Sequence, residues 1–327
     1  MNDVFDTVLL LALPASGKSE IRRYLEHQTE NTCREFFHMG KTVQLDDYPY
    51  VHIMRRVDEL LEGAGKPRVF FETGDRGFAD TADWGTLIAL INEDYTDIRA
   101  LRKRRPDEPV GWILDRFDRA REAVGARAPF SSMENSGREI LLNGLVKEVD
   151  DLISEWNSNV PTSLEGKTIV IEFARGGPVD SSMPLPRCYG YNYSLSVLSG
   201  EILSRSAILY IWVTPEQSRA KNRERAAPDA DGSILFHGVP EHVMLNDYGC
   251  DDIEYLLSRS AVADSVKVEA HGETFVIPTG RVDNRQDLTT FVRQDPDKWE
   301  PANVKLLEDS ISAALEPIWG PYKSTRS

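Results

Sequence analysis

VFDTVLLLALPASGKS, residues 4–19, is the stretch of this chain that decides the fold. It begins with a nearly unbroken apolar run at residues 8–13, which is typical of a strand buried on both faces of a parallel sheet. It ends in Gly17-Lys18-Ser19, and a polar segment with helical character follows. A strand, a turn of small residues, Lys-Ser and a helix in this order predict a phosphate-binding loop.

The chemistry of such a loop is local. Small residues allow the backbone to wrap closely around a polyphosphate, so the N–H groups and the helix N-terminus point at the anion. Lys18 is predicted to reach the β- and γ-phosphates, and Ser19 to ligate Mg²⁺. The full pattern starts with glycine where this chain has Ala12, so the match is one glycine short. The predicted nucleotide-binding residues are Pro14, Ala15, Ser16, Gly17, Lys18 and Ser19.

Composition limits the class of protein. The chain has 327 residues, which is enough for one large domain or two ordinary ones. Its net charge of −15 argues against a general affinity for nucleic acid or anionic membranes. The three cysteines are widely spaced and match neither a disulfide framework nor a zinc site.

Neither a membrane span nor a signal peptide is predicted from the sequence. No apolar stretch approaches the roughly 18 residues that cross a bilayer. Acidic rather than basic residues, Asp3 and Asp6, precede the N-terminal apolar run. We therefore expect a cytoplasmic protein, and the sequence leaves its oligomeric state open.

Strands alternate with helices over much of the chain, which predicts an α/β fold with a doubly wound parallel sheet. After the first strand, strands are predicted at residues 42–45, 68–72, 168–173, 207–213 and 275–277. Residues 80–159 have roughly helical spacing, which predicts a helical insertion. The chain is then a single domain with a core formed by residues 1–79 and 160–327.

Ligands of such a sheet bind beyond the carboxyl ends of its strands, so the residues that follow each strand are candidate site residues. They are Lys18, Ser19, Asp46, Asp47, Glu72, Glu172, Arg175, Arg219 and Arg223. Cations neutralise phosphates, and carboxylates hold Mg²⁺ or orient a nucleophile. This mixture of charges suits phosphoryl transfer.

Four segments together resemble the P-loop kinases of the nucleoside and nucleotide kinase type. They are LPASGKS at residues 13–19, LDDY at 45–48, IVIEFARG at 169–176 and VTPEQSRAKNRER at 213–225. The resemblance covers the core strands and leaves out residues 80–160. It implies ATP and Mg²⁺ as cofactors, and transfer of the γ-phosphoryl group to a hydroxyl or phosphate of a nucleoside, nucleotide, sugar or related metabolite.

The resemblance also implies roles for the acids. In that family an acid after the second strand often acts as base toward the acceptor, a role open to Asp46 or Asp47. We favour Asp46, because Asp47 is placed to cap the next helix. An acid at a later strand end often binds Mg²⁺ through water; Glu172 fits best and Glu72 is the rival. Arg175 would contact substrate. Ordinary turns, solvated strand ends and a surface ion pair remain the alternatives.

Arg219 and Arg223 are four residues apart on one predicted helix face. Like charges at this spacing are unfavourable unless an anion such as phosphate faces them. In the family, such arginines lie on a mobile lid over the triphosphate. Arg225 lies on another face of this helix and is a weaker candidate for a lid arginine. A polar loop is predicted to follow at residues 227–240. The alternative is a set of solvated arginines balanced by neighbouring glutamates.

Two other functions stay open. One is a nucleotide-binding ATPase or GTPase switch whose insertion binds a protein partner. The other is a kinase-like protein that binds nucleotide without turnover. The sequence has no N-K-x-D motif for guanine, and it has neither a G-x-S-x-G nor an H-E-x-x-H motif. The small-molecule kinase is therefore the first hypothesis, and its acceptor is not identified by the sequence.

Overall fold

The protein is an α/β structure around a six-stranded, mostly parallel sheet. The computed structural model describes residues 3–225 and 238–324. The strands are β1 (Thr7–Leu11), β2 (Lys41–Asp46), β3 (Lys167–Phe173), β4 (Ser206–Trp212), β5 (Ser265–Ala270) and β6 (Glu273–Asp283). Their order across the sheet is β2-β3-β1-β4-β6-β5, and β5 pairs antiparallel with β6 while the other pairs are parallel.

Helices cover both faces of the sheet. Along the chain they are α1 (Lys18–Glu26), α2 (Glu30–Phe37), α3 (Tyr48–Gly63), α4 (Asp83–Arg99), α5 (Pro109–Ala123), α6 (Asn135–Gly144), α7 (Val146–Asn159), α8 (Gly190–Val197), α9 (Gly200–Arg205), α10 (Pro215–Arg225), α11 (Glu241–Asn246), α12 (Ile253–Arg259) and α13 (Pro301–Ser324). Short 3₁₀ helices lie at Thr290–Arg293 and Pro296–Lys298. None of the helices in the described ranges is both long and apolar enough to cross a membrane.

Strand β1 lies inside the sheet and is buried along its whole length. Its neighbours are β3 on one side and β4 on the other. The chain therefore changes direction across the sheet at β1, and such a switch point leaves a crevice beyond the carboxyl ends of the strands. The loop that follows β1 lies at this crevice.

The two faces of β1 contribute to two separate cores. Leu9 and Leu11 belong to one cluster, which includes residues of α4, α8 and α12. Val8 and Leu10 belong to the other, with residues of α1, α2 and α13. Burial on both faces explains the unbroken apolar run of the sequence.

Residues 80–159 hold helices α4 to α7 and no strand, as their spacing predicts. A third core lies between these helices and α3. Helix α4 joins the two regions, because Ile88 and Ile91 pack in the sheet core whereas Leu87 and Leu90 pack in the third core. The insertion is thus anchored directly to the sheet.

The prediction of a strand at residues 68–72 is wrong. Phe70 and Phe71 are buried in the third core, and Phe71 makes an isolated bridge to Phe78. The carboxylate of Asp58 accepts the N–H groups of Val69 at 2.6 Å and Phe71 at 2.7 Å. A side chain thus satisfies the backbone donors that a neighbouring strand would otherwise have satisfied.

The side of the sheet that is formed by its last two strands, β6 and β5, also differs from the sequence prediction. Strand β6 runs over eleven residues, not three, and pairs with β5, which the sequence reading missed. The alternating pattern SVKVEA of β5 was the available signal. The predicted loop at residues 227–240 lies mostly outside the described residues.

Candidate functional site

The loop at residues 12–17 connects β1 directly to α1. Gly17 has φ of +106°, and a Cβ there would lie 2.6 Å from the Oγ1 of Thr289. Both the left-handed backbone and the close side chain require glycine at this position. Ala15 also has a positive φ, of 57°. The loop is tightly wound, as the run of small residues predicts.

Side chains from distant parts of the chain hold this loop by its carbonyl groups. Tyr191 Oη donates to the Ala12 carbonyl at 2.9 Å, and Ser218 Oγ to the Pro14 carbonyl at 2.7 Å. Asn284 Nδ2 donates to the Ser16 carbonyl at 2.8 Å. Within the described part of the chain, no acceptor satisfies the N–H groups of residues 15–17. The loop is therefore fixed through its carbonyls, and its donors remain available for an anion.

Lys18, the first residue of α1, is buried at the base of the loop. Its Nζ donates to the Ala12 carbonyl at 3.3 Å. Burial lowers the pKa of Lys18, and the nearby carboxylates of Glu172 and Asp46 partly offset this effect. A desolvated ammonium group beside open backbone donors is suited to a polyphosphate.

Asp46 is the last residue of β2 and Glu172 the last but one of β3, and the two lie directly opposite each other in the β2–β3 register. Arg22 Nη1 bridges them, at 3.5 Å from Asp46 Oδ2 and 3.2 Å from Glu172 Oε2. Burial raises the pKa of Asp46, and the adjacent Glu172 and Asp47 raise it further. Three carboxylates, those of Asp46, Asp47 and Glu172, therefore lie close together in a buried site, with Lys18 and Arg22 beside them.

Asp47 lies in a different environment from Asp46. Its Oδ2 accepts from Arg175 Nη1 at 2.7 Å, and both side chains are largely buried. Asp47 occupies the N-cap position of α3, as predicted, but its side chain makes no capping bond. Asp46 Oδ1 instead accepts the N–H of Tyr48 at 2.8 Å. The geometric reason for preferring Asp46 as the base is thus removed.

Arg175 is buried, not part of a surface ion pair. Besides Asp47, its guanidinium donates to Ser194 Oγ at 3.0 Å and to the carbonyls of Ala174 at 2.6 Å and Trp84 at 3.3 Å. These contacts occupy its donors with protein acceptors. Arg175 is therefore placed to orient Asp47, and it does not line the cavity described below.

A capping box begins α10: the Thr214 N–H donates to Gln217 Oε1 at 3.1 Å, and the Gln217 N–H donates to Thr214 Oγ1 at 3.2 Å. Along this helix, Arg219 pairs with Glu216 and Arg223 pairs with Glu241. Neither of these arginines lines the cavity, whereas Arg225 does.

Arg225 pairs with the buried Glu20 of α1 at 2.7 Å, and its Nε has no hydrogen-bond partner in the described part of the structure. Arg225, which the sequence analysis ranks below Arg219 and Arg223, is therefore the arginine of α10 that lies next to Lys18.

A cavity of about 510 Å³ brings the predicted groups together. The predicted residues that line it are Pro14, Ala15, Lys18, Ser19, Asp46, Asp47 and Glu172. Ser16 and Gly17 lie in the loop behind it, and Glu72 lies in an exposed loop, paired with Arg76 at 3.4 Å. Glu72 ends no strand, so Glu172 is the acid that meets the strand-end criterion.

Sequence reasoning missed a second group of cavity residues. Tyr48, His52 and Arg55 on α3 line the cavity, as do Trp84 of α4 and Tyr248. The spacing of the three α3 residues places them on one helix face directly after the acid pair, which was an available signal. Trp84 and Tyr248 reach the cavity through long-range packing, for which the sequence gives no local pattern.

Comparison of the chain with protein-family models, with curated proteins and with solved structures finds no match. The site is therefore interpreted from its own geometry and chemistry.

Proposed function

We propose that the protein is an ATP- and Mg²⁺-dependent phosphotransferase that transfers the γ-phosphoryl group to a small molecule. The observation that carries this proposal is one cavity lined by both Lys18 of the loop and the acids Asp46, Asp47 and Glu172. Phosphoryl transfer requires a cationic phosphate cradle next to carboxylates that hold a metal and orient a nucleophile. The acceptor is a hydroxyl or phosphate of a nucleoside, nucleotide, sugar or related metabolite.

The loop fits the phosphates of ATP. Its carbonyls are held by Tyr191, Ser218 and Asn284, while the N–H groups of residues 15–17 have no described acceptor. Backbone donors and a buried lysine together form a site for a polyphosphate, in the manner of a P-loop. Lys18 then leaves the Ala12 carbonyl and neutralises the β- and γ-phosphates.

Asp46, Glu172 and Ser19 fit Mg²⁺. No group of three or more His, Cys, Asp or Glu residues in the described ranges forms a complete metal site. Mg²⁺ with ATP is usually held by one or two carboxylates, waters and the phosphates themselves, so a complete protein cage is not required. Burial, and after it the neighbouring acids Glu172 and Asp47, raise the pKa of Asp46, and a divalent cation bound there would favour its ionised form. Mg²⁺ would neutralise phosphate charge there.

Asp47 is the better candidate for the base. Arg175 fixes the direction of its carboxylate, whereas Asp46 faces Glu172 and Arg22. Asp47 would accept the proton of the acceptor hydroxyl, while Asp46 contributes to the cation site. Arg225 lies beside the loop and is placed to contact phosphate oxygens, since it lines the same cavity.

Lys18→Ala is the test of this function. We expect loss of Mg-ATP binding in calorimetry and loss of ADP formation in a metabolite panel. Lys147→Ala is the control, because Lys147 is 85% exposed and lies in the insertion. Unchanged ATP affinity in the Lys18 variant, with the fold intact, would reject the proposal. ATP hydrolysis that needs a protein partner and no metabolite would instead favour the switch.

A further inference from the structure

The cavity has a rigid apolar wall that the phosphate chemistry does not use. It consists of Phe71, Phe78, Trp84 and Tyr248, here called the aromatic wall. The ring centroids of Phe71 and Phe78 are 4.6 Å apart, and those of Phe78 and Trp84 are 4.8 Å apart. Tyr248 completes the series at 5.5 Å from Trp84. Interlocked rings of this kind form a preformed surface for an apolar or ring-shaped ligand.

Arg55 lies at the edge of the aromatic wall. Its guanidinium carbon is 4.1 Å from the centroid of the Phe71 ring, and Nη1 donates to the Gly74 carbonyl at 2.9 Å. Among the described residues it forms no ion pair with an Asp or Glu. Burial lowers its pKa, so the charged form is incompletely compensated. The next residue, Arg56, differs: it pairs with both Glu59 and Glu148 and does not line the cavity.

We propose that the acceptor is a hydroxylated ring compound with an anionic group, either carboxylate or phosphate. This inference rests on the proposed phosphotransferase function. Arg55 binds the anion, the aromatic wall contacts the ring, and the hydroxyl faces Asp47. A neutral acceptor would cover Arg55 without compensating its charge, so the cavity discriminates against it.

One bond forms and one bond breaks in the transfer step. The acceptor oxygen forms a bond to the γ-phosphorus, the bond from that phosphorus to the β–γ bridging oxygen breaks, and ADP leaves. The hydroxyl proton passes to the carboxylate of Asp47. The anionic group of the acceptor stays bound to Arg55 and takes no part in bond making.

Matched acceptor pairs test this proposal. Each pair contains a hydroxylated ring compound with an anionic substituent and its neutral counterpart: sugar phosphates with sugars, nucleoside monophosphates with nucleosides, cyclic hydroxy acids with their amides. Two readouts are used, ADP formation with Mg-ATP, and ligand-induced thermal shift with a non-hydrolysable ATP analogue. The carboxylate and phosphate pairs show which anion Arg55 prefers.

We expect an anionic member of the panel to bind and react with kcat/KM at least about 10-fold above its neutral partner. Arg55→Ala should raise its KM about 10- to 100-fold without changing ATP affinity, and Arg55→Lys should recover part of the loss. Arg56→Ala is the control, and it should change neither the KM for the acceptor nor the affinity for ATP.

Three outcomes overturn the inference: neutral members react as well as anionic ones, Arg55→Ala has no effect on the preferred acceptor, or no anionic member binds in a manner that depends on Arg55. Loss of ATP binding is measured separately through Lys18. If ATP does not bind but anions still bind through Arg55, the phosphotransferase function fails and the anion site remains. If ATP is used with neutral acceptors alone, the anion requirement fails and the function remains.

Discussion

Asp47 and Arg175 form a buried ion pair across the carboxyl ends of β2 and β3, with 2.7 Å between Oδ2 and Nη1. The exposed fractions of the two side chains are 11% and 2%. Removing one partner of a buried pair leaves an uncompensated charge, which costs far more than loss of a surface pair. This pair therefore couples the stability of the fold to the geometry of the proposed base.

Arg175→Ala should lower the free energy of unfolding by about 3–5 kcal/mol, because Asp47 loses its partner in a buried position. Urea unfolding measures this change. Arg285→Ala is the matched control, since the Arg285–Asp283 pair is 46% exposed on both sides and should change stability by less than about 1 kcal/mol. Equal unfolding midpoints for the two variants would show that the buried pair contributes no more to the free energy of unfolding than the exposed pair does.

Asp47→Asn also leaves Arg175 without its carboxylate partner, so urea unfolding first checks that the variant is folded. In the folded variant, phosphoryl transfer should fall by about 100- to 10,000-fold, the range for loss of a general base, while ATP binding persists. Asp46→Asn should instead raise the Mg²⁺ concentration needed for half-maximal rate. Initial rates measured over a series of Mg²⁺ concentrations separate the two effects. If Asp46→Asn is the inactive variant and its Mg²⁺ requirement is unchanged, the base is Asp46, as the sequence first indicated.

Asp46 should also make stability depend on pH. Its folded-state pKa is raised above the ordinary 3.8, so the folded protein binds this proton more tightly than the unfolded chain does. The contribution to stability is full below about pH 4 and is lost as pH rises through the folded-state pKa. Without Mg²⁺, Asp46→Asn should therefore match the parent Tm in acid and exceed it at neutral pH. A Tm difference that does not grow with pH contradicts this assignment.

The three arginines of α10 should differ in effect. Arg225→Ala should lower turnover strongly, up to about 1,000-fold if it contacts the transition state, because Arg225 lines the cavity beside Lys18. Arg219→Ala and Arg223→Ala should have smaller effects, since these residues pair with Glu216 and Glu241 outside the cavity. Measurements of kcat and Tm on all three variants separate an effect on turnover from an effect on stability. A larger loss in either of the latter variants would restore the sequence-based prediction.

The parts of the site that the sequence predicted correctly depend on local order. β1, its loop and α1 follow one another within a few residues, so a local pattern was sufficient. Asp46 and Glu172 meet because the carboxyl ends of parallel strands lie at one edge of a sheet, a rule that needs no tertiary detail.

The errors arose where tertiary contacts override local preference. The sequence around Phe70 and Phe71 is typical of a strand. In the structure, however, the Asp58 carboxylate accepts their backbone N–H groups, and their rings pack in the third core with the helices of the insertion. Which arginine of α10 faces the loop depends on the rotation of the helix, and Glu20 fixes it through its pair with Arg225. Sequence spacing places arginines on helix faces, but it does not say which face meets the loop at residues 12–17.

The loop at residues 12–17 receives part of its shape from residues more than 260 positions further along the chain. Asn284 donates to the Ser16 carbonyl, and Thr289 occupies the space beside Gly17. Asn284→Ala removes the first contact while keeping every helix and strand, and the nucleotide affinity of this variant against the parent measures the importance of that contact. The loop therefore reaches its final shape only once residues 284–289 have folded against it, so it forms together with the rest of the sheet and not as an independent local element.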